Sequence, residues 1–427
     1  PEVSFETDNQ PIVDKADYVI CGEAENLFYD LCKNILSGES PSHKIIKGPL
    51  PEISKIQLPY QYYSDEDIKN RVIYVEASRG CPYKCEFCLS SLDTSVRSFD
   101  LDLFLDEMQT LIQRGVKQFK FVDRTFNLSI TKSKKILEFF LAKVHLGLFL
   151  HFELVPDRLP EELKEVIKKF PHGSLQFEIG VQTWSPKVAR LVSRRQDYEK
   201  VIQNFKFLVQ ETGVHIHSDL IAGLPGETLE SFAEGFDALA SLEPHEIQLG
   251  ILKRLKGTPI IRHDTDWEMV YQDHPPYQVL KTKVMPFETV LQLSRMAKFW
   301  DLVANSGHFK NSMRLIHELG ESREKPSLFW EFWQLTEYFN QRHPQRYGIS
   351  LISQVESLWL YLTEERSVEK NKARTALVLD YTVNPSRDIP PFLREETPQP
   401  KLKKSSRVKH SLPHRQSRHW VSISDRA

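Results

Sequence analysis

Between residues 72 and 253 the chain repeats one alternation, a short β-rich run followed by an amphipathic helical run. The strand candidates are VIYVEAS (72–78), KQFKFVD (117–123), LFLHFELV (148–155), SLQFEIGVQ (174–182), VHIHSDLIAG (214–223) and EIQLGILK (246–253). Between them, LDLFLDEMQTLIQRG, TKSKKILEFFLAKVH, LPEELKEVIKKF, YEKVIQNFKFLVQETG and GETLESFAEGFDALASL place apolar residues at helical spacing. Strands separated by helices pair in parallel, and each return must be a right-handed crossover. Six such units predict an α/β fold, a partial (β/α)6 TIM-like barrel with helices outside; a flat doubly wound sheet is the alternative. In either arrangement the chemistry belongs at the C-terminal ends of the strands.

The flanks differ in pattern. Residues 1–50 hold one strand, a turn and a helix (ADYVICGEAENLFYDLCKNILSG), too little to build a core alone. They read either as an extension packed on the barrel or as the end of a domain that begins upstream. A linker follows over 51–70, and the core is expected over 71–260. Residues 261–383 are expected to be mostly helical, with TALVLDYTV (375–383) as a last strand. Four of the seven tryptophans, Trp300, Trp330, Trp333 and Trp359, lie in this part. At helical spacing such a stripe marks a core or an interdomain face. The Pro-, Ser- and Lys/Arg-rich stretch 384–427 has the composition of a disordered, solvated tail.

Net charge is −2, which favours neither nucleic acid nor an acidic membrane surface as partner. No apolar run is long enough to span a bilayer and no secretory signal opens the chain, so a cytoplasmic protein is expected. A monomer or weak oligomer is the expected state.

Three of the five cysteines fall within eight residues: RGCPYKCEFCLS places Cys81, Cys85 and Cys88 directly after the first strand. An odd, clustered set is a poor disulfide framework and a good metal site. Soft thiolates select zinc, copper(I) or iron–sulfur. Structural zinc asks for four closed ligands, and a ferredoxin-type cluster also takes four thiolates. Cys21 and Cys32 belong to a separate segment. A cubane on three thiolates leaves one iron open for a substrate, whereas three cysteines plus a histidine could hold zinc.

Cys-x3-Cys-x-aromatic-Cys, with Phe87 as the aromatic, in the first βα loop of a six-unit barrel resembles the radical S-adenosylmethionine (radical SAM) superfamily. That resemblance implies a 4Fe-4S cluster on Cys81, Cys85 and Cys88. It implies S-adenosylmethionine chelating the open iron and an electron donor such as flavodoxin or ferredoxin. Reductive cleavage then yields a 5′-deoxyadenosyl radical that takes hydrogen from a substrate. Further motifs resemble the branch of oxygen-independent coproporphyrinogen oxidase. On that likeness HFELVPD offers Glu153 to the ribose hydroxyls, and EIGVQTW brings Gln182. ARLVSRRQ supplies Arg194 to the S-adenosylmethionine carboxylate, and SDLIAGLPGET points Asp219 at the ribose. The residue types suit these roles, since a carboxylate accepts from two hydroxyls and a guanidinium forks onto a carboxylate. One departure stands out. The family's second strand often ends Gly-Gly-Glu, whereas here it ends FVDRTFN. Asp123 is assigned either to the S-adenosylmethionine amino group or to a structural pairing with Arg124.

PEVSFE…ADYVICGEAENLF resembles the last part of a cobalamin-binding domain, and LKRLKGTP with the helical region resembles members whose C-terminal domain has no assigned function. The cobalt-ligating histidine loop of such domains would lie upstream of Pro1. Cobalamin is therefore expected of a longer protein and not of these 427 residues. By strand alternation Glu178, His217, Gln248 and Lys253 are the candidates facing a substrate. Two functions follow: an enzyme of this superfamily acting on an unidentified substrate, or an iron–sulfur module that binds S-adenosylmethionine or heme for carriage or electron transfer without turnover.

Overall fold

The computed structural model describes residues 3–345, 347–384, 387–394 and 416–419. Its centre is a six-stranded parallel sheet of β3 (Ile73–Val75), β6 (Gln118–Phe121), β7 (Phe149–Leu154), β8 (Leu175–Gln182), β9 (His215–Ala222) and β10 (Glu246–Ile251). Their order across the sheet is the order in sequence, with β3 and β10 at the two edges. A doubly wound sheet would reverse direction midway. Sequential order with crossovers of one hand puts every crossover helix on one face, as in a barrel that has not closed. Each of the six strands lies within its expected range.

Alternation then sorts the side chains. On the helix-bearing face Phe119, Leu150 and Leu175 stand in register, as do Phe152, Phe177 and Ile216, and all six are buried. Aromatic rings knit this layer together, with Phe121 and Phe126 packed 4.3 and 4.0 Å from Phe152. The opposite face carries polar rows. Lys120, His151, Gln176 and His215 form one; Glu153, Glu178, His217 and Glu246 form the next; Gly180, Asp219 and Gln248 form the last, towards the strand C-termini. This face is the lumen of the open barrel.

The N-terminal unit holds β1 (Val19–Cys21), the helix Glu25–Leu36 and a second strand not expected from sequence, β2 (Ile45–Lys47), parallel to β1. Two isoleucines flanked by Lys44 and Lys47 carry too little alternation to be seen. Val13, Val19 and Cys21 form its own small core. Its Glu23 receives Arg79 and Arg97 from β4 (Ser78–Arg79) and β5 (Arg97–Ser98), an antiparallel clasp at the base of the cysteine loop.

After β10 a two-stranded ribbon, β11 (Val270–Tyr271) and β12 (Val279–Lys281), leads into helices spanning 287–300, 310–321, 328–342, 351–360 and 370–381. The stretch expected as a last strand is the helix Lys370–Tyr381. Of its buried residues, Ala373, Ala376, Leu377 and Asp380 recur at helical spacing, with Val378 beside them, and Glu369 caps its first turn; that periodicity outweighs its β-branched content. Of the aromatic stripe, Trp330 and Trp333 pack on Phe329 within their own helix, and Trp300 reaches the barrel. Trp300 sits between Phe236 of the barrel helix Leu229–Ala240 and Phe332, at 4.8 Å from each. Asn305 pairs with both the N–H and the C=O of Ile247, which covers the edge of β10.

Parts of the expected solvated tail are docked. Leu393 is buried. In the helical turn Gln416–His419, Gln416 donates to Gln176 at 2.7 Å and His419 meets the Asn305 carbonyl at 2.8 Å. Residues 385–386, 395–415 and 420–427 of that stretch lie outside the described residues. No helix among the described residues is long and apolar enough to cross a membrane.

Candidate functional site

A cavity of about 270 Å³ opens at the C-terminal ends of the strands. Cys81, Cys85 and Cys88 line it, together with Phe87, Glu153, Gln182, Arg194 and Asp219. Five segments between 81 and 219 in sequence thus converge on one hollow. All five cysteines are free thiols. Among the described residues no three His, Cys, Asp or Glu side chains converge as ligands of a single ion. A cubane asks for something else, since each thiolate meets a different iron.

Local backbone devices aim these side chains. Gly80 takes φ +89, and a Cβ there would run into the Ser95 carbonyl, so the chain can enter the cysteine loop beside its own return only as glycine. The Cys81 N–H then donates to Asp93 O at 3.0 Å, which closes the loop. In β8 the register slips between Gly180 and Gln182, and Gln182 takes φ 70. That bulge folds the Gln182 side chain back over Gly180, into space a Cβ would occupy. Arg194 donates to the carbonyls of Gly180 and, at 3.1 Å, Val181, and its Nη1 lies 3.5 Å from Cys85 Sγ. The guanidinium is therefore held by the bulge with one edge towards the thiols.

Electrostatics differ along the polar rows. His151 lies 3.1 Å from Glu178 and, with Lys120 beyond it, holds that carboxylate down at about 2. Burial pushes Asp219 up, opposed by His217 at 3.4 Å. Burial also raises Glu153, against the pull of Arg124, which reaches it at 3.0 and 3.3 Å. Burial raises the Cys81 thiol, and the neighbouring thiols add to it. Ligation by a metal cluster would overcome that cost by taking the thiolate.

Asp123 is placed elsewhere. It is 2% exposed and outside the cavity, accepting from the Ala77 N–H at 3.0 Å and the Ser78 hydroxyl at 2.6 Å. Burial lifts it to about 6. The pairing with Arg124 does not form, since Arg124 pairs with Glu153 instead, and Asp123 braces the chain entering the cysteine loop. Of the substrate-facing candidates, Glu178 lines the cavity and His217 lies beneath Asp219; Gln248 and Lys253 are exposed and line no part of it. Sequence reading missed Arg124, Arg195 and Gln196 as cavity residues, and they too line the wall. It also missed Glu86, whose partners lie more than a hundred residues away.

Residues 75–239 match the radical SAM superfamily, and residues 265–419 match a family described as protein of unknown function, DUF4080. The ribosomal protein uS12 methylthiotransferase RimO of Phocaeicola vulgatus is 29% identical over 173 residues, covering 38% of this chain and 39% of that one. The tRNA-2-methylthio-N(6)-dimethylallyladenosine synthase of Thermotoga petrophila is 24% identical over 287 residues, 65% of this chain and 61% of that one. The chain thus spans between two-fifths and three-fifths of the length of these relatives. Among solved structures, the methyltransferase TsrM from Kitasatospora setae superposes with TM-score 0.49 at 14% identity, over 77% of each chain. The cobalamin-dependent enzyme OxsB gives TM-score 0.49 at 13% identity, over 84% of this chain and 62% of that one.

Proposed function

With residues 75–239 belonging to the radical SAM superfamily, we propose that this chain binds a 4Fe-4S cluster on Cys81, Cys85 and Cys88 and cleaves S-adenosylmethionine reductively to abstract hydrogen from a substrate. One observation carries the reading: three thiols with no fourth share a single cavity with a carboxylate pair, an amide and a guanidinium at strand ends. The donor set fits a cubane with one iron left for the amino acid end of S-adenosylmethionine. When bound, the cluster supplies the single electron for the cleavage.

The chain's own residues bind and orient. Arg194, gripped by the Gly180 and Val181 carbonyls, offers its remaining edge to a carboxylate. Asp219 and Glu153 are acceptors for ribose hydroxyls, and Gln182 reads the nucleoside beside them. Glu153 is released for that role when Arg124, whose side chain is 55% exposed, swings outwards. Leu154, Val155 and Pro156 wall the cavity and limit water there. The electron donor is a small soluble carrier, and reduced thiols suit a cytoplasmic setting. In a longer protein with a cobalamin-binding domain upstream, the same site would support methyl transfer to an unactivated carbon. The electron-carrier alternative gives no role to strand-end acceptors aimed into the cavity.

Anaerobic reconstitution with iron and sulfide tests the reading. The chain should take up close to four irons and show the broad brown absorbance of a cluster, and Cys85→Ala should lose both. Retention of the absorbance in that variant would contradict the ligand assignment.

A further inference from the structure

Glu86 occupies one of the two positions between Cys85 and Cys88 that the ligand spacing leaves open, and it is only 4% exposed. Its Oε1 accepts from Arg262 Nη2 at 2.6 Å and from the Ser193 hydroxyl. Its Oε2 accepts from Arg262 Nε at 2.6 Å and lies 2.9 Å from His263 Nε2. The Glu86 N–H donates to Val192 O and its carbonyl accepts from the Ile260 N–H, both at 3.1 Å. Arg262 also donates to Leu191 O at 3.1 Å. Every polar group of this residue is thus taken up by two segments, 191–193 and the helical turn Pro259–His263.

Both segments matter to the cavity. Ser193 takes φ 54, a conformation that costs a non-glycine residue free energy and persists only when its surroundings impose it. The next residue is Arg194. A buried carboxylate with a guanidinium is a weak device for stability, since desolvation offsets the attraction, but it does fix geometry.

We propose that Glu86 is a positioning residue that locks the Cys85–Cys88 half of the loop to Arg194 and to the turn 259–263. Thiols and guanidinium then hold one fixed relation, and a segment beyond the matched superfamily region, which lines no part of the cavity, braces it from behind. The inference rests on the function proposed above.

Its test uses the full chain, reconstituted anaerobically, as Glu86→Gln, Arg262→Ala and the double variant. The readouts are iron per chain, Kd for S-adenosylmethionine, the EPR spectrum of the reduced cluster with and without S-adenosylmethionine, and Tm of the iron-free chain. Gln cannot accept at both positions, and Arg262→Ala removes the guanidinium fork while Ser193 and His263 still meet the carboxylate, so some loss of Tm is expected of both single variants. Each single variant should keep its iron, weaken S-adenosylmethionine binding about 10-fold or more, and blunt the spectral change on its addition, the scale typical of lost outer-shell partners. The double variant should be no worse than either single one. Variants that lose only Tm, with Kd and spectra like wild type, overturn the positioning role; if Glu86→Gln fails to fold, Arg262→Ala alone decides. A wild-type chain that takes up no iron overturns the cluster reading itself, and the positioning role with it.

Discussion

Gly80→Ala asks whether the entrance to the cysteine loop is as tight as its geometry demands. The substitution carries two separable costs. At φ +89 an alanine pays about 1 kcal/mol or more for its backbone alone. Its Cβ would also fall inside contact distance of the Ser95 carbonyl oxygen and 2.9 Å from the carbonyl carbon, backbone atoms that cannot rotate aside. Relief means opening the β4–β5 clasp and the Cys81–Asp93 bond, an overpacking cost of about 1–3 kcal/mol. The sum, about 2–4 kcal/mol, shifts the closed loop by about 30- to 1000-fold. Gly115→Ala is the matched control: it has φ +104 in a distal turn, with nothing within 4 Å of the added atom. Both variants should lose a few degrees of Tm. Only Gly80→Ala should release iron quickly to a chelator after anaerobic reconstitution. Equal chelator resistance in the two variants would refute the claim that this glycine shapes the cluster loop.

Gly180→Ala should scarcely change Tm, because its Cβ displaces only the mobile end of Gln182, yet it should weaken S-adenosylmethionine binding about 5- to 10-fold. The same loss should appear in Gln182→Ala and not add in the double variant; additive losses would place the effect elsewhere. Asp123→Ala, which strands the Ala77 N–H, should lower Tm and iron uptake by about 1–3 kcal/mol of local stability while the loaded fraction binds S-adenosylmethionine normally. A raised Kd at full iron loading would return Asp123 to the cavity. Glu227 is fully buried, accepts from Thr183 at 2.6 Å and is raised by burial to about 8. Its contribution is therefore complete below about 4.5 and lost as pH rises through 8, of order 5 kcal/mol at most. Denaturant titrations should show the wild type losing ground to Glu227→Gln between pH 5 and pH 9; parallel profiles would contradict the shift.

The barrel was legible because each unit states its own period: two on the strands, 3.6 on the helices, with glycine at the breaks. The cavity was legible for a related reason. Glu153, Gln182 and Asp219 sit in the C-terminal halves of their strands, where such a fold must place its site, whereas Arg194 lies past β8 and the helix Pro186–Leu191 and only the resemblance pointed to it. What failed needed information that lies between segments. Asp123 also ends a strand, but its direction is set by two donors at 77 and 78 across the sheet. Glu86 looks like a surface charge in an exposed loop until Arg262 and His263 arrive from the far side of the barrel. The helix at 370–381 was hidden by its β-branched Thr375 and Val378, whereas the burial of Ala373, Ala376, Leu377 and Asp380 follows helical spacing.

The central claim, that the three-thiol cavity cleaves S-adenosylmethionine, comes down to one product. Incubated anaerobically with dithionite and S-adenosylmethionine, the iron-loaded chain should release 5′-deoxyadenosine and methionine, and Cys85→Ala should release neither. A chain that carries the full cluster, binds S-adenosylmethionine and still forms no 5′-deoxyadenosine would contradict the account and leave a cluster-bearing module without turnover.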